Sequence, residues 1–146
     1  MNVTKDKFFI DTNLFVYLFS KKEPAKQTVA KNIISLAYQT RKGVISYQVI
    51  QEFCNVALKK FENPMKLEDC KKFINNFLFP ICTVYPGNDL FNTALEIKLE
   101  TSFSFYDSLI AASAYTDNCT IIYSEDLNPG QKIRDVVIIN PFSEIE

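Results

Sequence analysis

Four acidic residues are set apart from the rest of the chain by what surrounds them. Asp11 follows the apolar run Phe8-Phe9-Ile10, and Asp126 comes three residues after the apolar end of Cys119-Thr120-Ile121-Ile122-Tyr123. Each run reads as a short buried strand delivering a carboxylate to its own carboxyl end, the rim where open parallel sheets bind ligands. Asp107 opens a stretch, 105–115, whose only polar members besides tyrosine are Asp107, Ser108 and Ser113. That is the pattern of a helix buried on nearly every side, with Asp107 sharing a face with Ile110, Ala111 and Ala114. Glu52 sits at the margin of a helix whose apolar stripe is Ile50, Phe53, Cys54, Ala57, Leu58 and Phe61, with Val49 and Val56 as its neighbours.

If the strands run parallel, all four acids converge on one rim. Like charges at close range repel and raise one another's pKa. Such a cluster makes sense around a cation, and oxygen-only ligands favour magnesium or manganese over zinc. The chemistry would be attack of a metal-activated water on a phosphodiester. Each acid also has a plainer role open to it. Asp11 or Asn13 can cap the helix that follows, and Glu52 can be a solvated helical side chain. Ser104-Phe105-Tyr106-Asp107 fits a capping box, which places Asp107 near the positive end of its helix.

The absence of histidine narrows the chemistry further. It excludes Ser-His-Asp and Cys-His catalysis and the usual zinc sites. Cys54, Cys70, Cys82 and Cys119 form no CxxC pair and read as small buried residues in a reducing compartment. The 146 residues suit one domain, 1–146, and 47% hydrophobic with 23% charged residues is an ordinary folded composition. A net charge of −1 excludes a strongly basic nucleic-acid coat protein, so nucleic-acid contact would rest on a local patch. Lys21, Lys22, Lys26, Lys59 and Lys60 are the nearest candidates for phosphate contacts, or else solvated surface. No apolar run is long enough to cross a membrane, and Met1-Asn2-Val3-Thr4-Lys5-Asp6-Lys7 has no signal-peptide apolar region, so a cytoplasmic location is expected.

The elements that must position the acids follow from periodicity. A strand at 8–10 leads into a helix over 14–19, and after the polar break at 20–24 a helix runs from Pro24 to about Gln39. A strand at 44–46 precedes the Glu52 helix, and Asn63-Pro64 breaks the chain. Leu67, Cys70, Phe73, Ile74, Phe77 and Leu78 predict a helix ending at Pro80, followed by a strand at 81–85 and a turn at 86–88. Helices marked by 90–99 and 105–115, then strands at 119–123 and 136–139, complete five strands alternating with helices. That order predicts an α/β fold, a mainly parallel sheet covered on both faces.

At these residues the chain resembles the PIN-domain ribonucleases, and among them the VapC-type toxins of toxin–antitoxin pairs. Asp11-Thr12-Asn13, Gln51-Glu52-Phe53, Tyr106-Asp107-Ser108 and Ser124-Glu125-Asp126-Leu127 look like the four acidic motifs of that family, in order, between Phe8 and Phe142. The resemblance implies a three-layer α/β/α sandwich on a five-stranded sheet. It implies Mg- or Mn-dependent endonuclease activity on RNA such as tRNA or rRNA. It makes Asp11, Glu52, Asp107 and Asp126 the acidic metal site, steadied by Thr12 and Ser124. Asp126 rather than Glu125 matches the fourth motif, with Ser124 two residues before it. The resemblance also implies a homodimer held silent by a small antitoxin that inserts into the cleft.

Alternatives remain open on the residues alone. One is a phosphatase with an aspartate nucleophile, against which Asp11-Thr12-Asn13 lacks a second aspartate two residues on. Others are a PIN nuclease of RNA processing and a non-catalytic PIN-like or flavodoxin-like binding module.

Overall fold

The computed structural model describes residues 6–145. Residues 1–5 of the N-terminal stretch read above for a leader lie outside the described residues, as does 146. The strands are β1 (Phe8–Ile10), β2 (Gly43–Ser46), β3 (Cys82–Val84), β4 (Ile121–Tyr123), β5 (Lys132–Ile133) and β6 (Val136–Ile139). The helices are α1 (Thr12–Tyr17), α2 (Pro24–Thr40), α3 (Tyr47–Lys59), α4 (Leu67–Phe73), α5 (Asn88–Glu100) and α6 (Phe105–Thr116).

The sheet order is β3-β2-β1-β4-β6-β5, and every pairing is parallel except β5 with β6. The chain therefore builds outward from β1 to β3, then crosses back to lay β4 on the other side of β1. Parallel crossovers are right-handed, so this reversal sends α5 and α6 to the face opposite the earlier helices. Consistent with that, α1 packs on α2 and α3, while α5 packs on α6. The reversal also opens a crevice between the carboxyl ends of β1 and β4.

The central strands have no solvated face. Phe8, Phe9 and Ile10 are fully buried, and so is Ile122. Gly43 is required where α2 crosses β2, because a Cβ there would lie 2.2 Å from Ala37 Cβ and 2.8 Å from a Phe8 ring carbon. Ser108 to Ala114 of α6 are all buried, as the apolar composition predicts, and the Ser108 and Ser113 hydroxyls donate to carbonyls one turn back, at 2.8 Å each.

Two elements differ from expectation. The helix predicted to run to Pro80 is regular only to Phe73, then widens into a π-turn (Ile74–Leu78) and tightens to a 3₁₀ turn (Phe79–Ile81). Pro80 cannot donate a backbone hydrogen bond, and the Phe77 carbonyl accepts from the Tyr38 hydroxyl, so the regular ladder is lost there. The sheet also has a sixth, two-residue strand, β5, folded back on β6 through a tight turn with Arg134 at φ 53°. The cysteines are free. Cys70, Cys82 and Cys119 are buried as expected, and Cys54 is partly buried, 3.9 Å from the sulfur of Cys70.

Candidate active site

The crevice between β1 and β4 is built by one residue from each strand end. Asp11 follows β1, and its backbone N–H donates to the Tyr123 carbonyl at 3.0 Å, so it is stitched to the end of β4. It is the N-cap of α1, with Oδ1 accepting from Thr12 N–H at 2.8 Å, so the capping role is real. Its other oxygen accepts from the Ser124 hydroxyl at 2.8 Å. That hydroxyl in turn accepts from the backbone N–H groups of Asp126 and Leu127 at 3.3 Å, shaping the turn that carries Asp126.

The next residues of α1 reach the other acids. The Thr12 hydroxyl donates to Glu52 Oε2 at 2.7 Å, and the Asn13 amide donates to Asp126 Oδ2 at 2.7 Å. Glu52 Oε1 accepts from Gln48 Nε2 at 2.9 Å, one helical turn back on α3. The same nitrogen donates to the Tyr106 carbonyl at 3.2 Å, which brings the start of α6 to this rim. Thr12 thus bridges Asp11 and Glu52, and Asn13 bridges to Asp126.

Burial and repulsion raise the proton affinity of Asp11. It is 8% exposed, and its pKa is pushed from 3.8 to about 6. Loss of water is the largest cause; the hydrogen bonds from Ser124 and Thr12 oppose it, and the negative charges of Glu52 and Asp126 add to it.

Asp107 corrects one expectation. The sequence places it on a buried face, yet it is half-buried, because it lies in the first turn of α6 where the helix meets the rim. Ser104 caps α6 by accepting from Asp107 N–H at 3.1 Å. Among the described residues the Asp107 carboxylate accepts no hydrogen bond, so only half of the expected capping box forms.

Glu125 is committed elsewhere. Its oxygens accept from the Tyr17 hydroxyl and the Lys26 ammonium, each at 2.6 Å. Lys26 is therefore an ion-pair partner inside the fold, and its expected place among the phosphate contacts is not where the structure puts it. Lys22 pairs with Glu62 at 3.4 Å on the surface. Two site residues escape the sequence reading: Asn13 as a holder of Asp126, and Gln48 as a holder of Glu52. Gln48 does carry a signal, since glutamine four residues before a helical glutamate shares its face.

The PIN domain model matches residues 8–133, from the first strand through all four acidic stretches. The chain belongs to the PIN domain family. Three solved structures show where this PIN domain stands among known folds. The DNA-bound VapBC of Salmonella typhimurium aligns with a TM-score of 0.65 at 19% identity, covering 90% of this chain and 96% of that one. VapBC2 of Rickettsia felis, bound to a promoter DNA fragment, gives 0.63 at 18%, covering 90% and 96%. VapC20 of Mycobacterium tuberculosis, a toxin that cleaves the sarcin-ricin loop, gives 0.59 at 17%, covering 82% and 90%. At these identities the likeness is one of fold. No curated protein sequence matches this PIN domain closely.

The donor set can be tested against a metal. Every candidate ligand is a carboxylate oxygen, and one of the acids is buried beside two others that repel it. That suits a hard cation such as magnesium. Among the described residues no group of three or more acidic or cysteine side chains is placed to hold one ion together. The residues fit an ion that takes one or two carboxylates and keeps most of its water, the usual arrangement for magnesium.

Proposed function

We propose that this PIN domain is a divalent-metal-dependent endoribonuclease acting as the toxin of a toxin–antitoxin pair. The observation that carries the proposal is the hydrogen-bonded run from Gln48 through Glu52, Thr12, Asp11 and Ser124 to Asp126. It fixes three acids from distant parts of the chain at the sheet's switch point. Family membership and the fold shared with VapC structures support the same choice.

Asp11 and Asp126 would hold magnesium or manganese, with Glu52 and Asp107 acting on its water shell. The ion would polarise the phosphate and lower the pKa of water. The chain's own groups do the positioning. Thr12 and Gln48 each donate to one oxygen of Glu52, leaving lone pairs on both that can orient a water molecule. Ser124 and Thr12 N–H hold Asp11 against rotation, and Asn13 holds Asp126. Asn13 stands where an aspartate phosphatase would need its second aspartate, so the phosphatase alternative finds no support.

A small antitoxin and a second copy of this chain are the proposed partners. Leu95 and Leu99 of α5 are exposed one turn apart, apolar side chains that suit pairing. No helix among the described residues is long and apolar enough to cross a membrane, and a cytoplasmic site of action is proposed.

The test is incubation of folded tRNA and rRNA fragments with wild type and Asp11→Asn in magnesium or manganese. Wild type is expected to cut at defined sites, and the variant at least about 100-fold more slowly. Equal cleavage by the two proteins would remove Asp11 from the reaction.

A further inference from the structure

Beside the acids, on the α6 side of the rim, lies a cavity of about 360 Å³. Tyr47, Phe91, Phe105 and Tyr106 line it with aromatic surface, and Ser46 and Gln48 contribute polar atoms. The Ser46 hydroxyl and the Gln48 side-chain oxygen are both buried and find no hydrogen-bond partner among the described residues. Buried polar atoms left unpaired are rare enough to require a reason. Ser46 is 2% exposed and is the N-cap of α3, yet its hydroxyl makes no capping bond. Gln48 is fixed in orientation, because its nitrogen donates to two groups that can only accept, Glu52 Oε1 and the Tyr106 carbonyl. Its oxygen is therefore an unpaired acceptor, shielded from solvent, on a residue that lines the cavity.

Resting on the nuclease proposal above, we infer that this cavity receives one unstacked nucleobase of the RNA whose phosphate lies at the acids. Aromatic faces stack on any base, and Tyr106 and Tyr47 are exposed enough to do so, at 67% and 36%. The edge of a base supplies an N–H for the Gln48 oxygen, and the Ser46 hydroxyl can give or accept beside it. An apolar side chain from a second copy of this chain would fill the space but leave both atoms unpaired. Gln48 links the two sites directly, since its nitrogen holds Glu52 and the residue itself lines the cavity. Bases in a duplex are stacked and paired, so the cavity selects loops, bulges and single strands.

The experiment uses the full chain with Asp11→Asn in magnesium, so that RNA persists, and a short single-stranded oligoribonucleotide carrying one 2-aminopurine. Binding is expected to quench the fluorescent base when it occupies one position of the oligonucleotide and not its neighbours. Tyr106→Ala should weaken binding about tenfold or more, from loss of a stacking face. Ser46→Ala should weaken binding several-fold while raising the Tm of the free protein, because an orphaned hydroxyl is removed. A merely structural serine would not move the two readouts in opposite directions.

No quench at any position, or Ser46→Ala and Tyr106→Ala proteins that bind as tightly as their parent, overturns the inference. So does a Tyr106→Ala protein whose only change is loss of dimer in sedimentation, which would give the surface to a second copy. Failure of the two proposals is separable. Wild-type cleavage that is indifferent to Ser46→Ala and Tyr106→Ala leaves the nuclease standing without the base pocket. A position-specific quench that depends on both residues, in a chain whose wild type cuts nothing, leaves the pocket standing without the nuclease.

Discussion

Replacing Asp11 by asparagine should stabilise the metal-free protein at neutral pH, although Asp11 caps a helix and accepts two hydrogen bonds. The folded-state pKa of about 6 lies above the 3.8 of the unfolded chain. Between those values the folded protein binds more protons than the unfolded one, so stability falls as pH rises through that window. Above about pH 6 the whole penalty is present, and two pKa units correspond to about 3 kcal/mol. The asparagine side chain would avoid that penalty. It can keep its oxygen on Thr12 N–H, but its amide then meets a Ser124 hydroxyl that already accepts two backbone N–H groups, a mismatch costing about 1–2 kcal/mol. The balance is a gain of about 1–2 kcal/mol at pH 7, or roughly 2–8 °C in Tm for a domain of this size. Circular-dichroism melts in EDTA at pH 4, 5, 6 and 7 measure it. The gain should shrink steadily below pH 6 and vanish or reverse by pH 4. A variant less stable than wild type at pH 7, or equally shifted at pH 4 and 7, would show that Asp11 is not held charged against its surroundings.

Magnesium or manganese should raise the Tm of wild type in proportion to the logarithm of concentration once binding saturates, and raise that of Asp11→Asn far less; thermal melts over a cation titration check both. Glu125→Gln should destabilise the fold by roughly 1.5–3 kcal/mol, because Lys26 and Tyr17 lose a charged acceptor in surroundings where both ion-pair side chains are under 20% exposed. It should leave most RNA cleavage intact, whereas Asp126→Asn should abolish cleavage with little change in Tm. Gly43→Ala should lower stability by about 1–3 kcal/mol in urea titration, since the new methyl collides with Ala37 and Phe8, both fully buried.

How much of this is legible in the sequence varies with the range of the interaction. Strands such as Phe8–Ile10 announce themselves because both faces are apolar, and α6 does so because its composition leaves no solvated side. The convergence of Asp11 and Asp126 follows from parallel order alone. The fate of Glu125 could not follow, since its partners are 99 and 108 residues away, and two adjacent acids after a strand look alike until the chain is folded. Periodicity also passes over local backbone chemistry. The spacing of Leu67 to Leu78 stays helical through a π-turn, because one extra residue per turn shifts the stripe too little to see. Strand β5 has two residues, too few for alternation to register. Asp107 departs from expectation for a similar reason. An apolar helix predicts burial for its body, but the first turn sits at the sheet's edge whatever its composition.

The choice of hydrogen-bond donors at the site follows one electrostatic logic. Asp11, Glu52 and Asp126 are held by a serine, a threonine, a glutamine, an asparagine and a backbone N–H, all neutral. The nearby ammonium of Lys26 is spent on Glu125. A lysine placed among the three acids would fix them as firmly, but it would also neutralise the field that draws a cation. Neutral donors fix position and leave charge. Burial is the largest cause of the raised Asp11 pKa, and the repulsion from Glu52 and Asp126 adds to it; a bound cation would relieve that repulsion, so part of what weakens the empty site becomes affinity for the ion.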